Sequence, residues 1–336
     1  MINLTPIRKS LHNAERYLSD TSMKTKWLFV RRKFLQRFNP SIPRQLWIGV
    51  TYQCQCKCIH CFLGPELNKR DDCLSKQEIY KLVNSARHLG FMEICYFGGE
   101  PLLYNNLIDL IKFSSSKGLL TSIYTNGILL TKKTAKELKD AGLSFCNISI
   151  DSALSEMHNS LRGYEGCFEK ALEGIRYLLD EGIRCNIWTY ARKKDVQEQN
   201  LKDLKSIINL ARQIKVHKVV ILFPMASGNW LCAPENILEH SERNMVRTLH
   251  NPPFVELEFP TEDTSCTAGK RLVYITPQGD IHPCPALPRF FGNIRQQSLN
   301  TILKKLKSEF IDSKKKVCGE CAMNFDIVRK KIDSKE

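Results

Sequence analysis

Three cysteines, Cys54, Cys58 and Cys61, stand in the run CQCKCIHC with spacing Cys-x3-Cys-x2-Cys, and Cys56 lies inside the loop. Three thiolates this close can wrap one face of a metal centre and leave a coordination position open. For zinc, an open position means Lewis-acid hydrolysis, but such sites use mixed ligands. For an iron–sulfur cube, three thiolates leave one iron free to bind a small molecule. Roughly forty residues on comes Gly98-Gly99-Glu100-Pro101, which taken alone is also a turn signal. A second set follows near the end: Cys266, Cys284, Cys318 and Cys321. The first pair brackets a hairpin-like segment, with a strand at 272–275 and a turn at Gln278-Gly279-Asp280. By spacing alone, four thiolates can hold a structural zinc or a closed iron–sulfur cluster.

These sulfurs belong to a chain of 336 residues with 14 cysteines. A chain this long does not need a disulfide scaffold, and its first ten residues do not read as a secretory signal. The expectation is a reducing, cytoplasmic compartment with the sulfurs on metal. At 43% hydrophobic and 25% charged the composition is that of a globular protein with a sizeable core. The longest apolar runs fall well short of the roughly 18 residues of a membrane span.

The elements that position the cysteines alternate with little interruption. Strand-like segments at 46–52, 93–97, 119–125, 144–150, 183–190 and 216–223 are separated by helical patterns. Those lie at 76–89, about 105–117, 132–141, 164–181 and about 198–214. Gly90, Gly118, Gly142 and Gly182 mark helix ends. Six such units imply a parallel sheet covered by helices, with the chemistry on loops after the strands. Periodicity leaves an open doubly wound sheet and a partial barrel equally available. After Phe223 the alternation stops, and 224–262 reads as irregular, with several prolines.

The Cys-x3-Cys-x2-Cys loop after a first strand, with Gly-Gly-Glu-Pro ending the second, resembles the signature of the radical S-adenosylmethionine (SAM) superfamily. The resemblance covers about residues 46–224. It implies an α/β fold, a partial TIM barrel (β/α)6. It also implies that Cys54, Cys58 and Cys61 hold a [4Fe-4S] cluster whose fourth iron binds S-adenosyl-L-methionine. Reductive cleavage would then give a 5′-deoxyadenosyl radical that abstracts a substrate hydrogen. Gly98, Gly99, Glu100 and Pro101 are cofactor-binding in this reading, the glycines letting backbone approach the methionine amino group. Asn126, Ser149, Asp151 and Arg162 are the further cofactor contacts. Ser149 and Asp151 share one face of their strand by alternation, and Arg162 offers a planar fork for a carboxylate. Asn126-Gly127 as a plain turn and Asp151 as a helix cap are the competing readings.

The later cysteines resemble the SPASM extension of this superfamily in its truncated form, called twitch, because no cysteine follows Cys321. That implies a second, auxiliary [4Fe-4S] cluster on Cys266, Cys284, Cys318 and Cys321, with zinc as the alternative. Cys232, after the sixth strand, is a candidate hydrogen donor to a substrate radical. Cys95, Cys146 and Cys185 fall in strands and read as small buried hydrophobes. Cys56, Cys73 and Cys167 have no assigned task.

The expected organisation is a basic helical extension at 1–45, the barrel at 46–224, and a small C-terminal iron–sulfur domain at 225–336. The net charge is +15, and residues 1–46 alone carry +8. There Met23, Trp27, Val30, Phe34, Leu35 and Phe38 recur at helical spacing. A surface helix packed on the body, or one that meets a membrane surface or an acidic partner, fits this pattern. Nucleic acid is set aside, because no recognised binding module accompanies the charge. The expected function is oxidative modification of a peptide. Oxidation or epimerisation of a sugar, aminocyclitol or lipid-linked metabolite is the alternative, as is, in another class, a non-catalytic iron–sulfur or zinc protein. The resemblance also implies an electron donor such as flavodoxin or ferredoxin.

Overall fold

The computed structural model describes residues 26, 30, 43–69, 72–258, 266–311 and 321. Most of the basic extension, and Cys318, lie outside the described residues. Lys26 and Val30 are both helical. Val30, on the stripe expected to pack against the body, is 50% exposed.

The strands are β1 (Gln45–Thr51), β2 (Glu93–Gly98), β3 (Leu120–Thr125), β4 (Phe145–Ser149), β5 (Arg184–Tyr190), β6 (Lys218–Leu222), β7 (Val255–Glu258), β8 (Leu272–Ile275) and β9 (Ile281–His282). All nine join one sheet in the order β7-β6-β5-β4-β3-β2-β1-β8-β9. Every neighbouring pair from β7 to β8 is parallel, and only β9 runs antiparallel, as the hairpin partner of β8. A doubly wound sheet reverses its strand order at a switch point. Here β1 to β6 follow one another without reversal, the winding of a barrel wall.

The helices are α1 (Lys76–Leu89), α2 (Leu107–Ser116), α3 (Lys132–Asp140), α4 (Ser155–Arg162), α5 (Cys167–Asp180), α6 (Lys193–Glu198), α7 (Lys202–Gln213), α8 (His240–Arg247) and α9 (Leu299–Leu306). α1 starts at a full capping box, in which Ser75 and Glu78 satisfy each other's backbone N–H groups. Glu78 also accepts from Nε of Arg295 at 2.6 Å, which ties the C-terminal segment to the barrel.

The two faces of the sheet separate by strand alternation. Leu46, Ile48, Val50, Ile94, Tyr96, Ile123, Ile148, Ile187 and Ile221 belong to the main core shared with the helices. Trp47, Cys95, Leu272 and Tyr274 form a second cluster on the opposite, inner face, with Phe97, Tyr124 and Trp188 against it. That inner face is where a barrel keeps its site.

Three segments depart from the sequence expectation. The stretch read as irregular after Phe223 contains α8 and then β7, whose alternating Val-Glu-Leu-Glu pairs with β6. The single helix expected over 164–181 is preceded by α4, and the one expected over 198–214 is two, broken where Asn200 and Leu201 take positive φ. The C-terminal segment does not stand apart from the barrel: β8 hydrogen-bonds in parallel to β1, with Trp47 opposite Tyr274. Among the described residues no helix is long and apolar enough to cross a membrane.

Candidate functional site

The cysteine loop leaves the C-terminal end of β1 and is held from three sides. Asn68 brackets Cys54, accepting from its N–H at 3.0 Å and donating to its carbonyl at 3.1 Å. Lys57 and Ile59 donate their N–H groups to the carbonyls of Arg162 and Leu161 at the end of α4, at 2.9 and 3.1 Å. Asn229, in the turn after β6, donates from its side chain to the Cys58 carbonyl at 2.9 Å and from its backbone to the Cys61 carbonyl at 3.0 Å. Asn68 and Asn229 carry no sequence signal beyond being loop asparagines, so the motif reading missed both.

Gly98 and Gly99 end β2 directly beneath this loop. A Cβ at Gly98 would strike the Thr51 carbonyl oxygen, and one at Gly99 the Gln53 carbonyl oxygen, both far inside contact distance. Gly98 also sits at φ +137, where side chains are strained. The glycines therefore admit the backbone of the cysteine loop itself. Glu100 is buried and spends its carboxylate on the neighbouring turn. It accepts from the Thr125 hydroxyl at 2.8 Å, the Leu102 N–H at 3.0 Å and the Asn126 N–H at 2.8 Å. Burial lifts its pKa to about 7 against these hydrogen bonds. Glu100 and Pro101 do not line the cavity described next.

A cavity of about 390 Å³ opens on the inner face. Of the residues singled out in the sequence, Cys54, Cys58, Cys61, Gly98, Gly99, Asn126, Ser149, Asp151 and Arg162 line it. Cys266, Cys284 and Cys321 line the same cavity. The first sulfur set and the three described cysteines of the second, more than 200 residues apart in sequence, thus face one space. Cys232 is exposed and is not among the lining residues.

Charge is concentrated at one end of this space. Asp151, 1% exposed, lies 2.7 Å from Nε of Arg162 and 3.3 Å from Nε2 of His60. Burial alone would raise the Asp151 pKa, but Arg162 and then His60 outweigh it and hold the carboxyl below its ordinary value. Burial pushes the His60 pKa down to about 4, so the ring is neutral at pH 7. Arg162 also donates from Nη1 to Sγ of Cys58 at 3.6 Å. A hydrogen bond from Cys56, helped by Arg162, brings the Cys58 pKa to about 7, which favours the thiolate a metal needs. Cys56 is not an isolated thiol, since it packs with Cys58 and Cys167. Tyr190 and Trp230 close over His60, with ring centroids 4.5 and 5.7 Å away.

The fit to a cluster with a bound amino acid group rests on the donors and gaps present. Three thiols face one cavity. The Asn126 Nδ2 is buried without a hydrogen-bond partner, and neither oxygen of Asp151 has one beyond its ion pair with Arg162 and its approach to the neutral His60 ring. Among the described residues no three His, Cys, Asp or Glu converge as one metal ion requires. A barrel wall with a three-thiol loop after β1 and charged groups after β4 defines a metal–sulfur site of the α/β class.

Comparison with known proteins makes the class specific. Residues 48–198 match the family model described as the Radical SAM superfamily, and 266–322 match the SPASM model, an iron–sulfur cluster-binding domain. The chain therefore carries a Radical SAM domain and a short SPASM domain. The family brings S-adenosylmethionine and a [4Fe-4S] cluster, and the SPASM domain an auxiliary iron–sulfur cluster. The chain is 28% identical over 232 residues to Fe-coproporphyrin III synthase of Methanosarcina barkeri, covering 67% of this chain and 56% of that one. It is 26% identical over 312 residues to AdoMet-dependent heme synthase of Oleidesulfovibrio alaskensis, covering 81% and 78%. It is 25% identical over 283 residues to PqqA peptide cyclase of Rhizobium meliloti, covering 77% and 73%. In fold it is similar to Streptococcus suis SuiB bound to S-adenosylmethionine, with TM-score 0.65 and 17% identity over 88% of this chain and 75% of that chain.

Proposed function

We propose that this chain is a radical SAM enzyme that oxidatively modifies a peptide. The observation that carries the reading is the cavity lined by the first sulfur set together with Cys266, Cys284 and Cys321. A group held there can lie next to the SAM site and within electron-transfer reach of the auxiliary one. When bound, the cluster and S-adenosylmethionine supply a 5′-deoxyadenosyl radical that removes one hydrogen atom from the substrate.

The chain's own residues bind, orient and exclude water. Cys54, Cys58 and Cys61 ligate the first cluster, and Arg162 steadies the Cys58 thiolate. Cys266, Cys284, Cys318 and Cys321 ligate the auxiliary cluster. Asn126, on the turn tethered by Glu100, would offer its unpaired Nδ2–H donor to the methionine carboxylate. Ser149 and Asp151, at the end of β4, with Arg162, would hold the ribose and carboxylate of S-adenosylmethionine. Gly98 and Gly99 bring the end of β2 against the cysteine loop, so the strand-end backbone stands beside the SAM site. Tyr190 and Trp230 cover His60 and keep water from that end of the cavity. Cys232 as hydrogen donor has only its position after β6 in its favour.

The proposal divides the chain into a barrel at 46–224 and an auxiliary region at 225–336. The basic extension at 1–45 meets an acidic or membrane surface. An electron donor such as flavodoxin or ferredoxin completes the cycle, in a reducing cytoplasmic setting. Similarity to a peptide cyclase supports the peptide class. Similarity to heme and coproporphyrin synthases favours a second reading, oxidation of a carboxylated macrocycle.

The test is anaerobic reconstitution of the full chain, followed by iron, sulfide and zinc analysis. Two cubes give about eight irons and no zinc. Reductant and S-adenosylmethionine should then yield 5′-deoxyadenosine and methionine. An intact first cluster that yields none refutes the enzyme reading.

A further inference from the structure

Two thiols at the first site are left over once Cys54, Cys58 and Cys61 are assigned. Cys56, Cys58 and Cys167 pack together with 1%, 8% and 0% of their surface exposed. Cys54 and Cys61 are half-buried and pack against this group, as do Ile128 and Tyr164. Cys56 stands within hydrogen-bonding reach of Cys54, Cys58 and Cys167. It therefore links a half-buried ligand thiol to a fully buried thiol that neither ligand set uses.

The segments that carry Cys56 and Cys167 already meet. Lys57, next to Cys56, donates its N–H to the Arg162 carbonyl at 2.9 Å. Gly163 follows at φ +60, and a Cβ there would come within 2.9 Å of the Lys57 carbonyl oxygen. Cys167 opens α5 four residues on. A disulfide needs two backbones that approach closely before it forms, and this corner supplies them.

A second buried group bears on the same spot. His158 is fully buried, and its Nδ1 accepts from the Asp151 N–H at 3.1 Å. That places the ring proton on Nε2. Nε2 is buried without a hydrogen-bond partner, and the ring bears on the Cys167 sulfur. The imidazole N–H is thus an open donor beside Cys167, placed to receive the charge that a sulfur carries during thiol–disulfide exchange.

The geometry points to Cys56 and Cys167 as a reserve dithiol that takes oxidation off the ligand cysteines and stores it as a Cys56–Cys167 disulfide. For a chain without iron at the first site, the oxidant is a peroxide. It converts the half-buried Cys54 thiol to a sulfenic acid as its O–O bond breaks and one water leaves. The Cys56 sulfur then bonds to Cys54, and the sulfenic oxygen leaves as a second water. Cys167 attacks Cys56 in that bond, and Cys54 departs as a free thiol. The sum is two thiols and one peroxide to one disulfide and two waters. A Cys54–Cys56 bond closes a ring across a single residue, and strained disulfides are the labile ones. Cys56–Cys167 joins positions 111 apart and is free of that constraint. The inference goes beyond the peptide reading and needs no substrate.

The experiment treats the reconstituted full chain with hydrogen peroxide until iron release is complete. Free thiols are then trapped with N-ethylmaleimide, and the disulfides are mapped by mass spectrometry without reduction. Trypsin cuts after Lys57, which parts Cys54 and Cys56 from Cys58 and Cys61. The Cys56–Cys167 link should predominate, with Cys54, Cys58 and Cys61 mostly trapped as free thiols. Cys167→Ala should hold iron like the wild type before treatment and form no such link afterwards. Its free Cys54, Cys58 and Cys61 thiols should fall by about twofold or more relative to the treated wild type. Trapping of both Cys56 and Cys167, or disulfides confined to Cys54, Cys58 and Cys61, overturns the inference. So does equal survival of the ligand thiols in the two proteins. The wild-type map decides the matter even where the variant folds poorly. Formation of 5′-deoxyadenosine by the untreated wild type is measured in parallel. Its absence refutes the enzyme reading and leaves the disulfide map to stand, whereas its presence with no Cys56–Cys167 link refutes the dithiol alone.

Discussion

Nε of Arg162 stands 2.7 Å from Oδ2 of Asp151, in a pair whose side chains are 9% and 1% exposed. Asp151 follows the end of β4 and Arg162 ends α4, the helix whose last carbonyls hold the cysteine loop. The pair thus fastens the strand end, the helix and the loop to one another. Removing one partner of a buried pair leaves the other charge uncompensated.

Asp151→Asn should therefore destabilise the protein by about 3–5 kcal/mol. Chemical denaturation measures this directly. A loss below about 1 kcal/mol, the size of an exposed ion pair, would show that Arg162 finds another counter-charge.

Glu100→Ala removes the acceptor for the Thr125 hydroxyl and for the N–H groups of Leu102 and Asn126. Each donor left buried and unpaired costs about 1–3 kcal/mol. The variant should melt well below the wild type and bind S-adenosylmethionine more weakly, because the Asn126 turn loses its anchor. Unchanged S-adenosylmethionine affinity in a folded variant would separate that turn from the cofactor.

Glu100 also makes stability depend on pH. Burial raises its folded-state pKa from 4.5 to about 7. Between those values the folded chain holds a proton that the unfolded chain has released. Stability contributed by this group is therefore fully present below pH 4.5 and lost as pH rises to about 7. Comparing melting temperatures of the wild type and Glu100→Gln, which cannot titrate, isolates the effect. The wild type should lose ground to the variant from pH 5 to about 7, and a gap independent of pH contradicts the assignment.

Gly99→Ala places a methyl group on the Gln53 carbonyl oxygen. Overpacking of this kind costs about 1–3 kcal/mol. The shift falls on the cysteine loop, so the variant should retain less iron at the first site after anaerobic reconstitution. Full iron retention would mean that the loop moves aside freely.

Cys58→Ala should abolish 5′-deoxyadenosine formation. Cys284→Ala should leave it detectable while the iron content falls from about eight to about four. Loss of deoxyadenosine in a Cys284→Ala protein that keeps its first cluster would tie the second sulfur set to the SAM site instead.

The identity of the sulfur chemistry was legible in the residues. Cys54, Cys58 and Cys61, with Gly98-Gly99-Glu100-Pro101, are local patterns, and a local pattern survives without knowledge of the fold. Alternation gave the six parallel strands for the same reason, since each strand and helix announces itself over its own few residues. Helix α8, strand β7 and the break before α7 were harder to read. Short elements carry little periodic signal, and the αL residues Asn200 and Leu201 are decided by packing. The roles of single residues were less legible still. Glu100 belongs to a family motif, yet its oxygens turn to the Asn126 backbone. Cys56, which the sequence left without a task, packs against Cys167, 111 positions away.

What the sequence by itself determined is a set of reactive groups and the strand ends that carry them. Only the tertiary structure decided that β8 would pair with β1 and bring Cys266, Cys284 and Cys321 to the cavity of the first set. It also decided that Trp47, Phe97, Tyr124 and Trp188 would share one wall. The reason is physical. Sequence patterns report periods of two or 3.6 residues along one element, whereas a pocket is made where different elements meet.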